Sequence, residues 1–432
     1  MTAATSPTTE SKAKGSRINA VVRRPSSDNS RFHMSKDAVD RSVMEIAKWS
    51  DLKCVKHFAK LRWGSTTRVI CPHCNTGCDH YWYPSELRWK CKGCGKKFSV
   101  TSGTVFFKHK LSLQDILGAV HLWACGAAGQ PALEIRRMLN FGGYNTGFSL
   151  VSKLRESLDN GFNIGFVSGV IDMDGAHASG RRASVKRGRP LNYTDPTGEN
   201  EKPDETRLTQ AGRQKAARDR KKADLAAGGV EHPGHGAVFP ASRRIAFSLR
   251  KHSGTKGRGA LMTRVGVAMT ESPEDALALA EKFVAIPESI LSTDTGKAFS
   301  KMGKSFKEHT QVNHSETLVN SDGHHVNFSE SFTARQDRSE KGVYLNIEPK
   351  FLTEYLVESA FREDHRRMAP GAIADSVLRY ALITGNSRDW QGYTHGRHRG
   401  FEKLVSGTVP AKPSGPEKGR SPIAGENGRP PR

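Results

Sequence analysis

The sequence lacks long apolar segments. No run of apolar residues approaches the roughly 20 that a membrane-spanning helix needs, and the first residues, rich in Ser, Thr and Lys, have no apolar core like that of a signal peptide. Hydrophobic residues make up only 36% of the 432-residue chain, below the roughly 45–50% of a typical globular domain. We therefore expect a cytoplasmic protein with no membrane partner, parts of which stay outside any folded core.

Acidic residues are scarce relative to basic ones. The chain has 67 Lys and Arg against 44 Asp and Glu, which gives a formal net charge of +23. Such an excess of positive charge attracts polyanions through the field of the whole molecule. Nucleic acid is therefore the leading candidate for a partner.

Cysteines are few and odd in number, which does not suit a framework of disulfides. Four of the seven form two Cys-x-x-Cys pairs, CPHC and CKGC, and in a reducing compartment such pairs indicate a metal site. Four thiolates at this spacing are the ligand set of a closed, tetrahedral structural zinc. The predicted ligands are Cys71, Cys74, Cys91 and Cys94. The alternatives are that Cys78 or His73 replaces one of them, or that the cysteines are ordinary thiols.

The segment between the two pairs has the pattern of a β-hairpin. YWYPSELRWK alternates aromatic, polar and basic residues. Cations interleaved with aromatic side chains suit contact with nucleic acid. The predicted DNA-binding residues of this zinc ribbon are Arg88, Lys90, Lys96 and Lys97, with Trp82, Tyr83 and Trp89 as stacking surfaces. A purely structural ribbon is the alternative.

Composition and periodicity divide the chain into several parts of α+β class. The predicted parts are a disordered basic arm (1–38), short helices and the zinc ribbon (39–110), a helix-turn-helix-like unit (111–160), a ribonuclease-H-like domain (161–385) with a basic insertion (181–235), and a disordered basic tail (386–432). The arm and tail have too few large apolar residues to form a core. Three short helices with tight turns fit the helix-turn-helix unit, and a generic helical connector is the alternative.

From residue 161 the hydrophobic period changes toward strands. VSGVIDMDGAH, RRIAFSLRKHS and TRVGVAMT have strand patterns, PEDALALAEKFVAI that of an amphipathic helix, and ESILSTDTG contains another strand. Helices are predicted in PKFLTEYLVESAFREDHR and AIADSVLRYALI. This order predicts a mixed sheet with flanking helices. The basic insertion either lies against DNA or is a solvated charged segment.

Acidic residues stand where a ribonuclease-H-like site needs them. Two-metal phosphoryl transfer requires carboxylates that converge on a pair of divalent cations. Asp174 lies in the first strand with Asp172 on the same face, Asp294 ends a later strand, and Glu330 follows Asn327 at the start of a helix. The alternative is structural, because an Asp at a strand end is often only a turn or capping residue.

A family resemblance rests on these motifs. The run from CPHC through WKCKGCGKKFSVTSGTVFFKHKLSL, followed by SLVSKLRES, resembles the front end of bacterial insertion-sequence transposases that carry a zinc ribbon before a DDE catalytic domain. GVIDMDG, STD and HHVNFSESF are similar to the family's three acidic motifs, and LTEYLVESAFRED to its closing helix. The resemblance covers roughly residues 45–370 without the insertion. It departs at Gly175, where the family has an acidic residue, and at Asp337, where it has a basic one.

The resemblance implies a site and an activity. Asp174, Asp294 and Glu330 would be catalytic and would bind Mg²⁺ or Mn²⁺, with Asn327 as the alternative third residue and Asp172 as an accessory acid. Arg335, Arg338 and Lys341 would hold phosphates, and a nearby histidine (His177, His314, His324 or His325) could orient the nucleophile.

The implied reaction is two-metal cleavage and strand transfer of double-stranded DNA, at terminal inverted repeats and target DNA. A homo-oligomer would carry it out at the bacterial nucleoid. The alternative is a non-catalytic zinc-ribbon DNA-binding regulator derived from a transposase. An RNA-directed nuclease of the same fold is more distant.

Overall fold

The computed structural model describes residues 32–179, 243–255, 259–295, 302–312 and 325–410, with positions 218–219, 222, 225–226, 230–231, 238–239 and 299. Most of the predicted basic arm and basic insertion lies outside these residues, and so does the end of the predicted tail. The predictions for those segments remain predictions.

Helices and a mixed sheet make up the described part of the chain. The helices are α1 (Val43–Ile46), α2 (Asp51–Trp63), α3 (Leu113–Cys125), α4 (Ala132–Met138), α5 (Tyr144–Gly161), α6 (Pro273–Phe283), α7 (Asn327–Arg338), α8 (Leu352–Asp364) and α9 (Pro370–Ile383). The strands are β1 (Arg68–Ile70), β2 (Gly77–Asp79), β3 (Tyr81–Tyr83), β4 (Arg88–Lys90), β5 (Lys97–Phe98), β6 (Val170–Ala178), β7 (Val230–Glu231), β8 (Val238–Phe239), β9 (Arg244–His252), β10 (Ala260–Ala268), β11 (Ile290–Asp294), β12 (Glu308–Val312), β13 (Phe401–Leu404) and β14 (Gly407–Pro410). None of the described helices is long and apolar enough to cross a bilayer.

Serine caps fix where several helices begin. The side chains of Ser50, Ser112 and Ser272 accept hydrogen bonds from backbone N–H groups in the first turns of α2, α3 and α6. A serine in this position satisfies an N–H group that has no partner within the helix. At the other end of α2, Gly64 adopts φ +73°, a left-handed conformation that favours glycine, and this turn leads the chain into the ribbon.

The three helices predicted between 111 and 160 are present as α3, α4 and α5. They do not form a separate unit, however, because α5 packs against α8 and α9 and α3 packs against α9. Most of α5 from Gly147 to Leu158 is buried, which leaves its first turn accessible. A helix that reads a DNA groove must expose one face. The helices predicted as a helix-turn-helix-like unit are therefore part of a larger helical core with the third helix at its centre, and the DNA-binding role of this unit stays a prediction.

The main sheet has five strands in the order β10-β9-β6-β11-β12. Strand β9 is antiparallel to β10 and β6, whereas β11 is parallel to β6 and β12. The mixed sheet is the one that the strand patterns predict, with β12 added at its edge. Strand β12 escaped prediction because EHTQV has no apolar alternation.

The two faces of this sheet pack against different helices. Ile171 and Met173 of β6 belong to a core shared with Leu279 of α6. On the other face, α7 packs against β6 and β9, and α8 against β10. Successive side chains of a strand point to opposite faces. Asp172 and Asp174 consequently face α7.

Helix α8 connects the helical part to the sheet through buried charges. Glu358 accepts from Arg155 of α5, and Arg362 donates to the backbone oxygens of Trp123 and Gly126 at the end of α3. At the end of α8, the carboxylate of Asp364 accepts from the backbone and hydroxyl of Thr263 in β10. The geometry of the sheet is therefore tied to that of the helices.

The prediction of a disordered tail from residue 386 is wrong for residues 386–410. Trp390 is buried, β13 pairs with β14, and Val405 N–H donates to Val267 O of β10. Arg399 forms ion pairs with Glu354 and Asp389. Arg399 and Lys403, two of the basic residues that suggested a solvated segment, are paired with acids, so the chain can bury them.

Candidate functional site

The four cysteines of the two Cys-x-x-Cys pairs converge at one point. Their Sγ atoms all lie within 4.8 Å of one another, with Cys71 3.8 Å from Cys94 and Cys74 3.5 Å from Cys91. A tetrahedral zinc with Zn–S bonds of about 2.3 Å requires S···S distances of about 3.8 Å. Cys78, the alternative ligand, instead lies 3.2 Å from His80 Nδ1. The chain thus has a four-cysteine structural zinc site.

Backbone turns direct the sulfurs toward this point. Cys71 and Cys91 each accept a backbone hydrogen bond from the residue four positions later, Asn75 and Gly95. Both of these residues have positive φ, 58° and 71°. The N–H groups of His73 and Gly93 lie 3.4 and 3.3 Å from the Sγ atoms of Cys71 and Cys91. Hydrogen bonds of this kind stabilise thiolates and favour metal binding.

Trp89 and the basic residues of the ribbon lie in different environments. Trp89, predicted as a stacking surface, is buried at 4% exposure and packs against Trp63, Trp82 and Phe98. It belongs to the core that joins the ribbon to α2. The basic residues predicted to bind DNA are exposed: Arg88, Lys90, Lys96 and Lys97. Lys97 pairs with Glu86 and lies over the ring of Tyr83.

Asp174 and Asp294 lie at matching positions of neighbouring parallel strands. The register pairs Ser292 with Asp172, so Asp294 is level with Asp174 two residues further along. Thr333 Oγ1 of α7 donates to Asp174 Oδ2 at 3.1 Å. Burial raises the pKa of Asp174 to about 6, together with the negative charges of Asp294 and Glu271 and against the Thr333 hydrogen bond. The structure therefore brings these two predicted acids together.

The third acid has two candidates. Glu330 is exposed on α7, one turn before Thr333 and on the same side of the helix, with Asn327 a further turn back. Glu271, which the sequence patterns did not indicate, follows β10, and its negative charge adds to burial and to Asp294 in raising the pKa of Asp174. Its Oε1 would lie 3.4 Å from a Cβ on Gly175, which points to the face of the sheet opposite Asp174.

Asp172 lies apart from these acids. It is fully buried, contacts His252 Nε2, and accepts a hydrogen bond from Phe328 N–H at the start of α7 at 3.2 Å. Its oxygens also lie near His325, where Oδ2 is 3.8 Å from Nδ1. The sequence patterns did not indicate His252, which closes β9 and becomes a neighbour of Asp172 only through strand pairing.

The basic residues predicted to hold phosphates are engaged within α7 and α8. Arg335 pairs with Glu363, Lys341 pairs with Asp337, and Arg338 donates to the backbone oxygen of Ala334. Arg338 and Lys341 remain exposed at the end of α7 and its continuation. Of the four histidines predicted as candidates, His314 and His324 lie outside the described residues.

Comparison with known protein families adds two matches. Residues 204–364 match the ISXO2-like transposase domain, and residues 49–97 match a transposase zinc-ribbon domain. The ribbon match contains all four zinc ligands, and the transposase match contains Asp294 and Glu330 but begins after the strand that carries Asp174. Curated proteins gave no match.

The two matching domains occur in the order that the sequence motifs predict, with the zinc ribbon first. The Cys₄ cluster lies inside the zinc-ribbon match, and most of the five-stranded sheet lies inside the transposase-domain match. A zinc ribbon of this kind and a transposase domain both imply DNA as a partner. The two matches support an insertion-sequence DDE transposase of the class that carries an N-terminal zinc ribbon.

Proposed function

We propose that this chain is an active transposase that binds the terminal inverted repeats of its element and cuts and joins DNA with two divalent cations. Asp174, Asp294 and a third carboxylate would hold the cations. The observation that carries the proposal is the level placement of Asp174 and Asp294 on adjacent parallel strands, on the face covered by α7.

The strand arrangement supports a ribonuclease-H-like fold for this domain. In the main sheet, β9 lies between β6 and β10 and is antiparallel to both. The later strands β11 and β12 run parallel to β6 on its other side. Helix α6 lies on one face, and α7 and α8 lie on the other. Carboxylates on the first strand and the fourth strand then meet beside a helix, as the proposed chemistry requires.

The residues present fit a hard divalent cation. Burial raises the pKa of Asp174, and the negative charges of Asp294 and Glu271 raise it further. Carboxylate oxygens are the ligands that Mg²⁺ and Mn²⁺ prefer. When bound, the two ions would activate the attacking oxygen and stabilise the leaving oxygen of an in-line displacement at phosphorus.

The chain's own residues prepare the site for these ions. Thr333 fixes the orientation of the Asp174 carboxylate, and α7 thereby links the first acid to Glu330. Basic residues of the ribbon would contact phosphates of the inverted repeat, while the acids act on the scissile bond. Because two ends must be joined in one reaction, we propose a homo-oligomer as the active assembly.

The test is cleavage of DNA that carries the element's own ends, taken from the sequence that flanks the gene, with Mg²⁺ or Mn²⁺. Asp174→Asn and Asp294→Asn are expected to lose cleavage by at least about 100-fold, because removing preorganised charge stabilisation has effects of that order. DNA binding, measured by gel shift, should persist in both variants. Glu330→Gln and Glu271→Gln, tested in parallel, identify the third acid by which one loses cleavage.

Glu274→Gln is the matched control, since Glu274 is exposed in the first turn of α6 and close in sequence to Glu271. It should cleave like the unchanged protein. Cleavage that survives Asp174→Asn or Asp294→Asn would contradict the proposed site. Binding without any cleavage by the unchanged protein would favour the regulator, and a preference for an RNA–DNA hybrid would favour the nuclease.

A further inference from the structure

A second cluster of metal-ligating side chains lies beside the proposed acids. Asp172 of β6, His252 of β9 and His325, two residues before α7, offer ligand atoms that all lie within 4.8 Å of one another. Asp172 Oδ1 contacts His252 Nε2, and its Oδ2 lies 3.8 Å from His325 Nδ1. Three separate segments of the fold therefore contribute to one small cluster.

The burial of Asp172 requires a positive charge nearby. Its side chain is 0% exposed, and a buried carboxylate is stable only when it is paired. Arg250 is its cross-strand partner, but the guanidinium is directed to Glu363 and to Phe328 O. Within the described residues, the ion pairs of Asp172 are with the two histidines.

The two histidine rings pack closely together beside Asp172. The two imidazoles are stacked with centroids 4.8 Å apart and an angle of 22°, and the ring of Phe328 packs edge-on against both. A divalent ion held by all three side chains would supply the positive charge that the buried Asp172 needs.

We propose that Asp172, His252 and His325 bind one late first-row divalent ion of the Zn²⁺ type. Two imidazole nitrogens and a carboxylate oxygen are a ligand set of three-ligand zinc sites, and they are softer than the all-oxygen set proposed for Mg²⁺. This site differs from the zinc of the ribbon and goes beyond the proposed strand-transfer activity.

Such an ion would fasten the start of α7 to the sheet. Asp172 also accepts a hydrogen bond from Phe328 N–H, so the carboxylate that would bind the ion also contacts the first turn of the helix. Helix α7 carries Glu330 and Thr333, and Thr333 bonds to Asp174. The ion's expected role is therefore to fix the helix that borders the acidic pocket.

The experiment counts metal ions in the tag-free full-length protein. The protein is supplied with Zn²⁺, dialysed in millimolar Mg²⁺ to keep the acids occupied, and measured by elemental analysis. We expect two zinc ions per chain. His252→Gln and His325→Gln should each reduce the count to one, whereas Asp174→Asn should leave it at two. The last result separates this site from the proposed catalytic one.

His395→Gln, which changes an exposed histidine, is the matched control and should also retain two ions. Circular dichroism checks that each variant is folded. If a histidine variant does not fold, the count in the unchanged protein remains decisive. One zinc per chain with an intact ribbon, or two in folded His252→Gln and His325→Gln variants, would overturn the proposal and leave a histidine–aspartate ion pair.

Discussion

Glu358 accepts hydrogen bonds from three side chains in the interior between α5 and α8. Arg155 Nε donates at 2.6 Å, an Arg362 guanidinium nitrogen at 2.7 Å, and Tyr344 OH at 2.8 Å. The side chains of Glu358 and Arg155 are only 1% and 2% exposed. Burial opposes ionisation, but the attraction of Arg155 and Arg362 prevails and holds the pKa of Glu358 below its ordinary value.

Glu358→Ala should strongly destabilise the protein. The change leaves the guanidinium of Arg155 buried without its acceptor, and breaking a buried ion pair from one side costs about 3–5 kcal/mol. At about 2–4 °C per kcal/mol for a domain of 150–250 residues, Tm should fall by about 6–20 °C. Thermal unfolding followed by circular dichroism measures the shift, and urea unfolding gives the free energy.

Two further variants make this test specific. Glu348→Ala removes an ion pair with Lys350 that is 2.9 Å long and has an acid 49% exposed, and it should cost no more than about 1 kcal/mol. The double variant Arg155→Met, Glu358→Met should be more stable than Glu358→Ala, because apolar residues replace both charges. A change in the free energy of unfolding of less than about 1 kcal/mol for Glu358→Ala, or a double variant less stable than Glu358→Ala, would contradict the stabilising role of this ion pair.

Three other outcomes are expected. Gly129→Ala should lower the free energy of unfolding by at least about 1 kcal/mol, because Gly129 has φ +110° and an added Cβ would meet the Tyr344 hydroxyl at 2.2 Å. Gly142→Ala is the control, since a Cβ there meets nothing within 4 Å. Equal melting temperatures for the two variants would contradict this expectation. Burial raises the pKa of Asp364 to about 6, against hydrogen bonds that lower it. The protonated carboxyl therefore contributes stability below the unfolded-state pKa of about 3.9, and this contribution is lost as pH rises through 6. Asp364→Asn should flatten the stability profile over this range, and an unchanged profile would argue against it. Arg88→Ala should weaken DNA binding at low salt and reduce the slope of log K against log salt by about 1 if it contacts one phosphate; an unaltered slope would exclude that contact.

Local patterns were sufficient for much of the fold. The zinc ligands follow from Cys-x-x-Cys spacing, because each pair forms its own turn and only one point is available to four sulfurs. The strand that carries Asp174 follows from apolar residues at alternate positions, Ile171 and Met173. Helices such as α6 follow from their period and from the Ser-Pro start at residue 272. All of these signals are contained within about ten residues of chain.

The remaining features depend on contacts between distant residues. Glu271 follows β10 and His252 ends β9 as ordinary polar residues, and only strand pairing sets them near Asp174 and Asp172. Arg399 looked like part of a solvated tail, but its partner Glu354 is 45 residues earlier and buried. Trp89 has the sequence setting of an exposed stacking residue, yet Trp63 from α2 covers it. Amino-acid composition cannot distinguish a buried, paired residue from an exposed one in these cases, because it does not identify the residue's distant partner.

The contact between Val405 and β10 has a practical consequence for anyone who shortens this chain. Strand β10 is at one edge of the sheet, and the hydrogen bond from Val405 N–H to Val267 O covers part of that edge. A protein ending at residue 385 would lose this cover and would also leave Glu354 buried without Arg399 and Lys403. Open strand edges promote pairing between molecules. Chains that end before residue 410 should therefore yield aggregates.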